Sequence, residues 1–159
     1  MKTIIADYKS LEGHSLFVKF VRVFTVPILN NLPEDFLRRF MKTSSNDAEV
    51  VLDNLGSARA LEVMYGRYRR NIFSRGAVQG FADLFWHHFV SQPKGVRNRL
   101  KIVENNLEKE ISRILNEKTE KEINIVTIGG GSARGIAEVL NKYSDELKDW
   151  KILVVNLVA

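Results

Sequence analysis

The chain of 159 residues contains no cysteine and only three prolines. Without cysteine it has no disulfide, no thiolate metal site and no cysteine nucleophile. No apolar run approaches the roughly 20 residues that span a bilayer, and the amino-terminal segment is too polar after Ala6 for a secretory signal. A hydrophobic content of 45% is typical of a globular domain with its own core. These absences favour a cytoplasmic protein.

The net charge of +5 is unevenly distributed. Residues 1–100 carry 15 Lys and Arg against 9 Asp and Glu, a net +6, whereas residues 101–159 carry 9 against 10, a net −1. A basic surface attracts anionic ligands, including nucleic acid. The basic and aromatic run from Tyr65 to Arg70, with Arg75, is the best candidate for such a contact, but no nucleic-acid motif surrounds it. We therefore expect a solvated or interface surface there, not nucleic-acid binding.

The first 117 residues are expected to form a helical region. Apolar residues recur every three or four positions in five segments: His14 to Phe24, Glu34 to Lys42, Asn46 to Tyr65, Arg75 to Val90, and Val96 to Leu115. Pro27 is expected to break or kink the first helix, and Pro33 to start the second. The second helix is expected to bury Phe36, Leu37, Phe40 and Met41. The helix from Val96 has the clearest pattern, and its Glu104, Glu108 and Lys109 are expected to face water.

The pattern changes after Glu122. The β-branched run from Ile123 to Ile128 predicts a strand, and it is followed by Gly129, Gly130 and Gly131. Helical spacing resumes after Ser132 and continues to about Leu147, and Trp150 to Val155 predicts a second strand. Glycine permits positive φ angles and close approach of a ligand to the backbone, and a helix amino terminus attracts anions. The turn is therefore predicted to hold a nucleotide-like ligand.

The spacing of the glycines limits which nucleotide fits. The dinucleotide fingerprint requires a glycine where Arg134 or Ser132 stands, and no Gly-Lys-Ser/Thr triplet of a P-loop occurs. The pattern that fits is Gly129-x-Gly131-x-Ala133 directly after the strand. In this segment the sequence resembles motif I of the class I S-adenosylmethionine-dependent methyltransferases, especially members whose loop reads Gly-x-Gly-Ser/Pro-Ala-Arg. The resemblance covers roughly residues 122–158, and the preceding helices are more weakly similar to the amino-terminal extensions of small-molecule methyltransferases.

The resemblance implies a cofactor, S-adenosylmethionine, and a set of residues that would bind it: Gly129, Gly130, Gly131, Ser132, Ala133, Asn156, Arg97 and Arg99. Asn156 stands where many members place an acidic residue for the ribose hydroxyls. Thr127 also departs from the family, which often has an acidic residue two positions before the first glycine. Arg97 or Arg99, on the helix before the first strand, would reach the cofactor carboxylate or an acidic substrate.

The implied fold is a mainly α amino-terminal region, residues 1–117, followed by the first βαβ unit of a Rossmann-like α/β methyltransferase domain, residues 118–159. The rest of the catalytic domain is expected to lie outside this chain. The chain would then be the amino-terminal portion of an enzyme that methylates a small molecule, inactive by itself, with no metal site. Since an open sheet edge recruits another chain, we also expect a homo-oligomer, formed through the sheet or the apolar helices beside it.

Two other functions remain open. The chain can be a fragment of a nucleotide-binding oxidoreductase, which a nicotinamide-binding assay would reveal, or a non-catalytic helical interaction or dimerisation module without cofactor affinity.

The histidines offer two further candidates for chemistry. Asp83 lies four residues before His87 and can orient it as a base, although a pair on the helix surface is the simpler interpretation. His87 and His88 point about 100° apart on a helix and cannot chelate one metal ion together.

Overall fold

A computed structural model of the protein describes residues 11–66, 76–117, 121–128 and 132–157. These residues are mainly helical, with a small parallel sheet, as the sequence predicted. The elements in chain order are α1 (Leu16–Asn30), α2 (Glu34–Ser44), α3 (Asn46–Asp53), α4 (Ala58–Tyr65), α5 (Ala77–Phe89), α6 (Ser91–Glu117), β1 (Glu122–Ile128), α7 (Arg134–Lys142) and β2 (Lys151–Leu157). None of the helices in these ranges combines the length and apolarity needed to cross a bilayer.

The chain divides into two compact units. Glu12–Arg97 form the first, which we call the helical unit. The second, the sheet unit, takes in the described residues from Asn98 onward. Residues 98–117, which were predicted to belong to the helical region, fall in the sheet unit. The predicted domain boundary after residue 117 stays a prediction.

The core of the helical unit is built by α3, α4, α5 and the start of α6. Its buried residues are small or medium-sized apart from one tryptophan: Ala48, Val51, Ala60, Met64, Trp86 and Val96. Two serines start the central helices, because the Ser45 hydroxyl accepts a hydrogen bond from the Ala48 N–H and the Ser57 hydroxyl accepts one from the Ala60 N–H. Small residues at these contacts let the short helices pack closely.

The prediction of one helix from Asn46 to Tyr65 is wrong, since α3 ends at Asp53 and α4 begins at Ala58. The side chain of Asn54 donates to the carbonyl of Val50, and Gly56 takes a φ of +80° that other residues rarely adopt. Ser57 then caps the next helix. Asn54, Gly56 and Ser57 together indicate the end of one helix and the start of the next. The prediction missed them because apolar residues continue at helical spacing on both sides of this turn. The predicted end at Tyr65 is confirmed, since α4 ends at that residue.

The first two helices differ most from the prediction. α1 continues through Pro27 to Asn30, so the proline does not end the helix. α2 starts directly after Pro33, as expected, but the prediction that it buries its phenylalanines is wrong, because Phe36 and Phe40 are 55% and 57% exposed. Neither α1 nor α2 contains a buried residue. Much of the apolar surface of both helices is therefore left uncovered by the other described helices.

The sheet unit places β1 and β2 side by side and parallel, with Ile123 opposite Ile152 and Thr127 opposite Asn156. Its core joins α6, β1, α7 and the segment after α7 through Ile111, Ile123, Val139 and Leu147. α7 is shorter than predicted, since it ends at Lys142 and turns lead from there to β2.

One face of the sheet carries this core, and within the described residues the other face is uncovered. Side chains on the uncovered face are largely exposed: Val126 63%, Ile128 84%, Leu153 52% and Leu157 54%. Apolar residues on both faces are typical of a sheet that is covered on two sides. Within the described residues, this sheet is covered on one side only. The predicted association through the sheet stays a prediction.

Candidate functional site

The carboxyl ends of the two strands lie side by side. Thr127 and Asn156 occupy register positions opposite each other, and the Thr127 hydroxyl donates to Asn156 Oδ1 at 3.1 Å. Open α/β sheets bind ligands in the crevice outside the carboxyl ends of parallel strands. α7 is the element that follows β1 in the chain, so the strand ends and the amino terminus of α7 form the candidate site.

The predicted cofactor-binding glycines lie between β1 and α7 in the sequence. Gly129, Gly130 and Gly131 lie outside the described residues. Ala133 follows them with a φ of +53°, the one positive φ at a non-glycine residue within the described ranges. This left-handed conformation costs about 1 kcal/mol for a residue with a Cβ atom, and such outliers cluster at ligand sites.

The amino terminus of α7 has polar groups available for a ligand. Its N-cap residue, Ala133, supplies no side-chain hydrogen bond, so a first-turn N–H group remains for another acceptor. The Ser132 hydroxyl oxygen is buried without a hydrogen-bond partner among the described residues. An orphaned buried hydroxyl beside a helix amino terminus fits a ligand that carries a carboxylate or hydroxyl groups.

α7 approaches α6 closely at its first turn. A Cβ atom on Gly135 would lie 2.9 Å from Leu100 Cδ1 and 3.5 Å from Glu104 Cγ. The absence of a side chain at this position thus lets the start of α7 pack against α6. No role was predicted for Gly135, although a glycine in the first turn of a helix indicates such a close contact.

Glu104 belongs to this contact, and the expectation that it faces water is wrong. Its Oε1 atom is buried without a hydrogen-bond partner among the described residues. Burial, a hydrogen bond with Glu138 and the charge of that carboxylate raise the pKa of Glu104 to about 7. Arg134, which donates to Glu138 at 2.5 Å, opposes the increase. Glu104 therefore changes its charge near neutral pH.

The titration of Glu104 makes the stability of the sheet unit depend on pH. Between pH 4.5 and about 7 the folded chain holds a proton that the unfolded chain has released, so the free energy of unfolding falls as pH rises through this window. Solvent screening limits the loss to about 1 kcal/mol. Glu104→Gln stays neutral and is expected to remove this slope in urea denaturation at pH 5 and pH 8.

The exposed Glu146→Gln is the control and is expected to keep the slope of the unaltered chain. A Glu104→Gln protein that loses as much stability between pH 5 and pH 8 as the unaltered chain would contradict the assignment.

The two arginines implied by the resemblance lie in different units. Arg97 is 4% exposed in the helical unit, and its guanidinium donates to Glu12 Oε2 at 3.0 Å and to the carbonyl of His87 at 3.1 Å. Arg99 is exposed and belongs to the sheet unit. Arg97 is thus engaged by protein groups, and contact of either arginine with a cofactor stays a prediction.

A second polar cluster lies inside the helical unit, where the interpretation of Asp83 and His87 as a surface pair is wrong. The His87 side chain is fully buried, and its Nε2 lies 2.9 Å from Asp47 Oδ2. Asp83 instead accepts hydrogen bonds from the Ser45 hydroxyl at 2.6 Å and from the Asp47 N–H at 3.4 Å. Asp47 lies forty positions before His87 in the chain, so no local pattern identified it.

This cluster holds helices together. It joins α3, α5 and the start of α6 through the hydrogen bonds of Asp47, His87 and Arg97. An imidazole without exposed surface cannot reach a substrate, so a role as a general base is not supported. The described ranges contain no group of three or more side chains suited to hold a metal ion.

Two other features lie away from the candidate site. An open groove of about 780 Å³ is lined by polar residues of α6 and by Tyr143, which caps the carboxyl end of α7, opposite to the glycine turn. Most of the basic and aromatic run considered for nucleic acid, from residue 67 to residue 75, lies outside the described residues.

Comparisons with family models, curated proteins and solved structures give no match for the chain.

Proposed function

We propose that the chain is the cofactor-binding, amino-terminal portion of an S-adenosylmethionine-dependent methyltransferase that acts on a small molecule. The observation that supports this proposal best is the pairing of Thr127 with Asn156 at the carboxyl ends of two adjacent parallel strands. Three glycines and α7 lie between those strands in the sequence. This is the arrangement expected of the opening unit of a Rossmann-like sheet, which binds its ligand at that edge.

The residues present suit the parts of such a cofactor. The backbone of Gly129 to Gly131 would allow a close approach, and the amino terminus of α7 would receive a carboxylate. The orphaned Ser132 hydroxyl would gain a hydrogen-bond partner. The Asn156 side-chain amide has N–H groups that donate hydrogen bonds and a carbonyl oxygen that accepts them, so it suits ribose hydroxyls. Its hydrogen bond with Thr127 fixes the orientation of the amide.

A bound S-adenosylmethionine supplies a methyl group on a positively charged sulfur, which an acceptor atom displaces in line. The contribution of this chain is to bind and orient, since correct placement of two reacting groups accounts for much of the rate of such a transfer. The proposal assigns no catalytic base to this chain. A small-molecule acceptor is favoured by the mainly helical region before the sheet, which resembles the extensions of small-molecule methyltransferases.

Calorimetric titration with S-adenosylhomocysteine, on this chain and on any longer form, tests the proposal. We expect binding, and we expect Asn156→Asp to tighten it by about fivefold, because a charged acceptor makes stronger hydrogen bonds to hydroxyls than a neutral one. An aspartate would also keep the hydrogen bond from Thr127.

Asn124→Asp, on an exposed residue of the same strand as Thr127, is the matched control and should leave the affinity unchanged. Weaker binding by the Asn156→Asp protein would show that this residue does not contact the ribose. If a longer form binds a nicotinamide dinucleotide and not S-adenosylhomocysteine, the oxidoreductase function replaces the proposed one.

A further inference from the structure

α1 turns its more apolar side outward. Six apolar side chains on that side, which we call the α1 face, are largely exposed: Leu16 84%, Phe17 76%, Phe20 64%, Val23 67%, Phe24 60% and Ile28 63%. The opposite side is held to the helical unit by Arg22, whose guanidinium donates to the carbonyl of Phe89 and lies 5.6 Å from the centroid of its ring. α1 itself contains no buried residue, so this contact leaves its apolar side exposed.

The area of the α1 face is that of a dimer interface. Aromatic side chains bury 150–250 Å² each when covered, and from the exposed fractions we estimate a face of about 700 Å². The largest apolar patch on a typical monomer is about 300–600 Å². A stable interface of standard size buries about 800 Å² per partner. The α1 face thus exceeds what a monomer usually exposes and nearly equals one side of such an interface.

The order of residues along the face is symmetrical. Leu16, Phe20, Phe24 and Ile28 are four residues apart and form one ridge of the helix. The ridge is centred on position 22, so a two-fold axis at that level places Leu16 opposite Ile28 of a second copy and Phe20 opposite Phe24. Aliphatic side chains then meet aliphatic ones and aromatic side chains meet aromatic ones. Lys19 falls level with Thr25, so the lysines of the two copies do not face each other.

We infer that a second copy of this chain covers the α1 face, in a two-fold symmetric dimer with the two α1 helices antiparallel. In such a dimer the same surface is used by both partners, as an isologous contact requires. The inference depends on α1 alone and is independent of the proposed cofactor.

The oligomeric state of the full chain tests the inference. Sedimentation equilibrium at about 50 µM is expected to give a dimer, and Phe20→Glu or Phe24→Glu to weaken it at least 100-fold, since each places a carboxylate in the centre of an apolar contact. Val78→Glu is the control, because Val78 is 83% exposed on α5, outside the α1 face. It is expected to leave the dimer intact.

Two results of this experiment would overturn the inference. One is a monomer of the unaltered chain at that concentration, including a monomer that binds vesicles of anionic phospholipid through Phe20 and Phe24. The other is a dimer that survives both glutamate substitutions while their circular dichroism is unchanged.

The orientation is tested by disulfide trapping, which also replaces the first test if a glutamate variant fails to fold. The chain has no cysteine, so each introduced thiol is unambiguous. A mixture of Leu16→Cys and Ile28→Cys chains in oxidised glutathione is expected to form the mixed cross-link, because a disulfide requires Cα atoms within about 7 Å. Cross-links of Leu16→Cys chains only with each other would contradict the antiparallel arrangement, and no cross-link at all would contradict the interface.

Discussion

Arg97→Met is expected to lower the free energy of unfolding of the helical unit by about 3–5 kcal/mol, since it removes a buried charged group together with its ion pair to Glu12 and its hydrogen bonds to backbone carbonyls. The guanidinium is 4% exposed and joins Glu12, His87 and the carbonyl of Met64. Urea denaturation followed by the fluorescence of Trp86, in a Trp150→Phe background, measures the loss, because Trp86 is buried in the same unit.

Two further variants separate the lost ion pair from a general effect of the substitution. Arg99→Met, two positions along the same helix on an exposed residue, is expected to change stability by less than about 0.5 kcal/mol. Adding Glu12→Leu to Arg97→Met is expected to recover part of the loss, because the largely buried carboxylate that had paired with Arg97 is then replaced by an apolar side chain. An Arg97→Met protein as stable as the Arg99→Met protein would show that the pair contributes nothing.

Ile111→Ala is expected to destabilise the sheet unit by about 3 kcal/mol, from lost burial and the cavity left behind. Ile111 is 1% exposed and lies in the cluster that joins α6 to β1 and α7. The fluorescence of Trp150, which packs against this cluster, reports the change in a Trp86→Phe background.

Val103→Ala is the control, since Val103 lies on the same helix and is 49% exposed. It is expected to cost less than about 1 kcal/mol. Equal losses for the two variants would mean that the cluster around Ile111 does not hold the unit together.

The elements that were predicted well are those in which apolar residues recur at a clear helical or strand spacing. The regular apolar spacing of α6 and the change from β-branched residues to helical spacing around the glycines located the long helix, both strands and α7. Where the prediction failed, a local signal competed with the period. The turn at Asn54 and Gly56 interrupts an apolar stripe that is otherwise continuous, and Pro27 lies in a helix that continues through it.

The candidate site was predictable only in part. The motif predicts Gly129 to Gly131 and Asn156 as ligand contacts, and this stays a prediction. The hydrogen bond of Asn156 with Thr127 depends on strand register, which the sequence of two short strands does not specify. The position of Glu104 depends on α7 packing over it at Gly135, a contact between residues more than thirty positions apart. Contacts between residues so far apart produce no periodic pattern in the sequence, so they cannot be predicted from one.

The long-range attachment of α1 determines when this helix joins the folding chain. α3, α4 and α5 follow one another closely in sequence, whereas the hydrogen bond from Arg22 to Phe89 spans 67 positions. Closing a loop of that length requires α5 to be in place first, because the entropy of closure is offset only when both partners are formed. We therefore expect α1 to be the late element of its unit, with its apolar face accessible to a folding chaperone or to a neighbouring nascent chain until it docks.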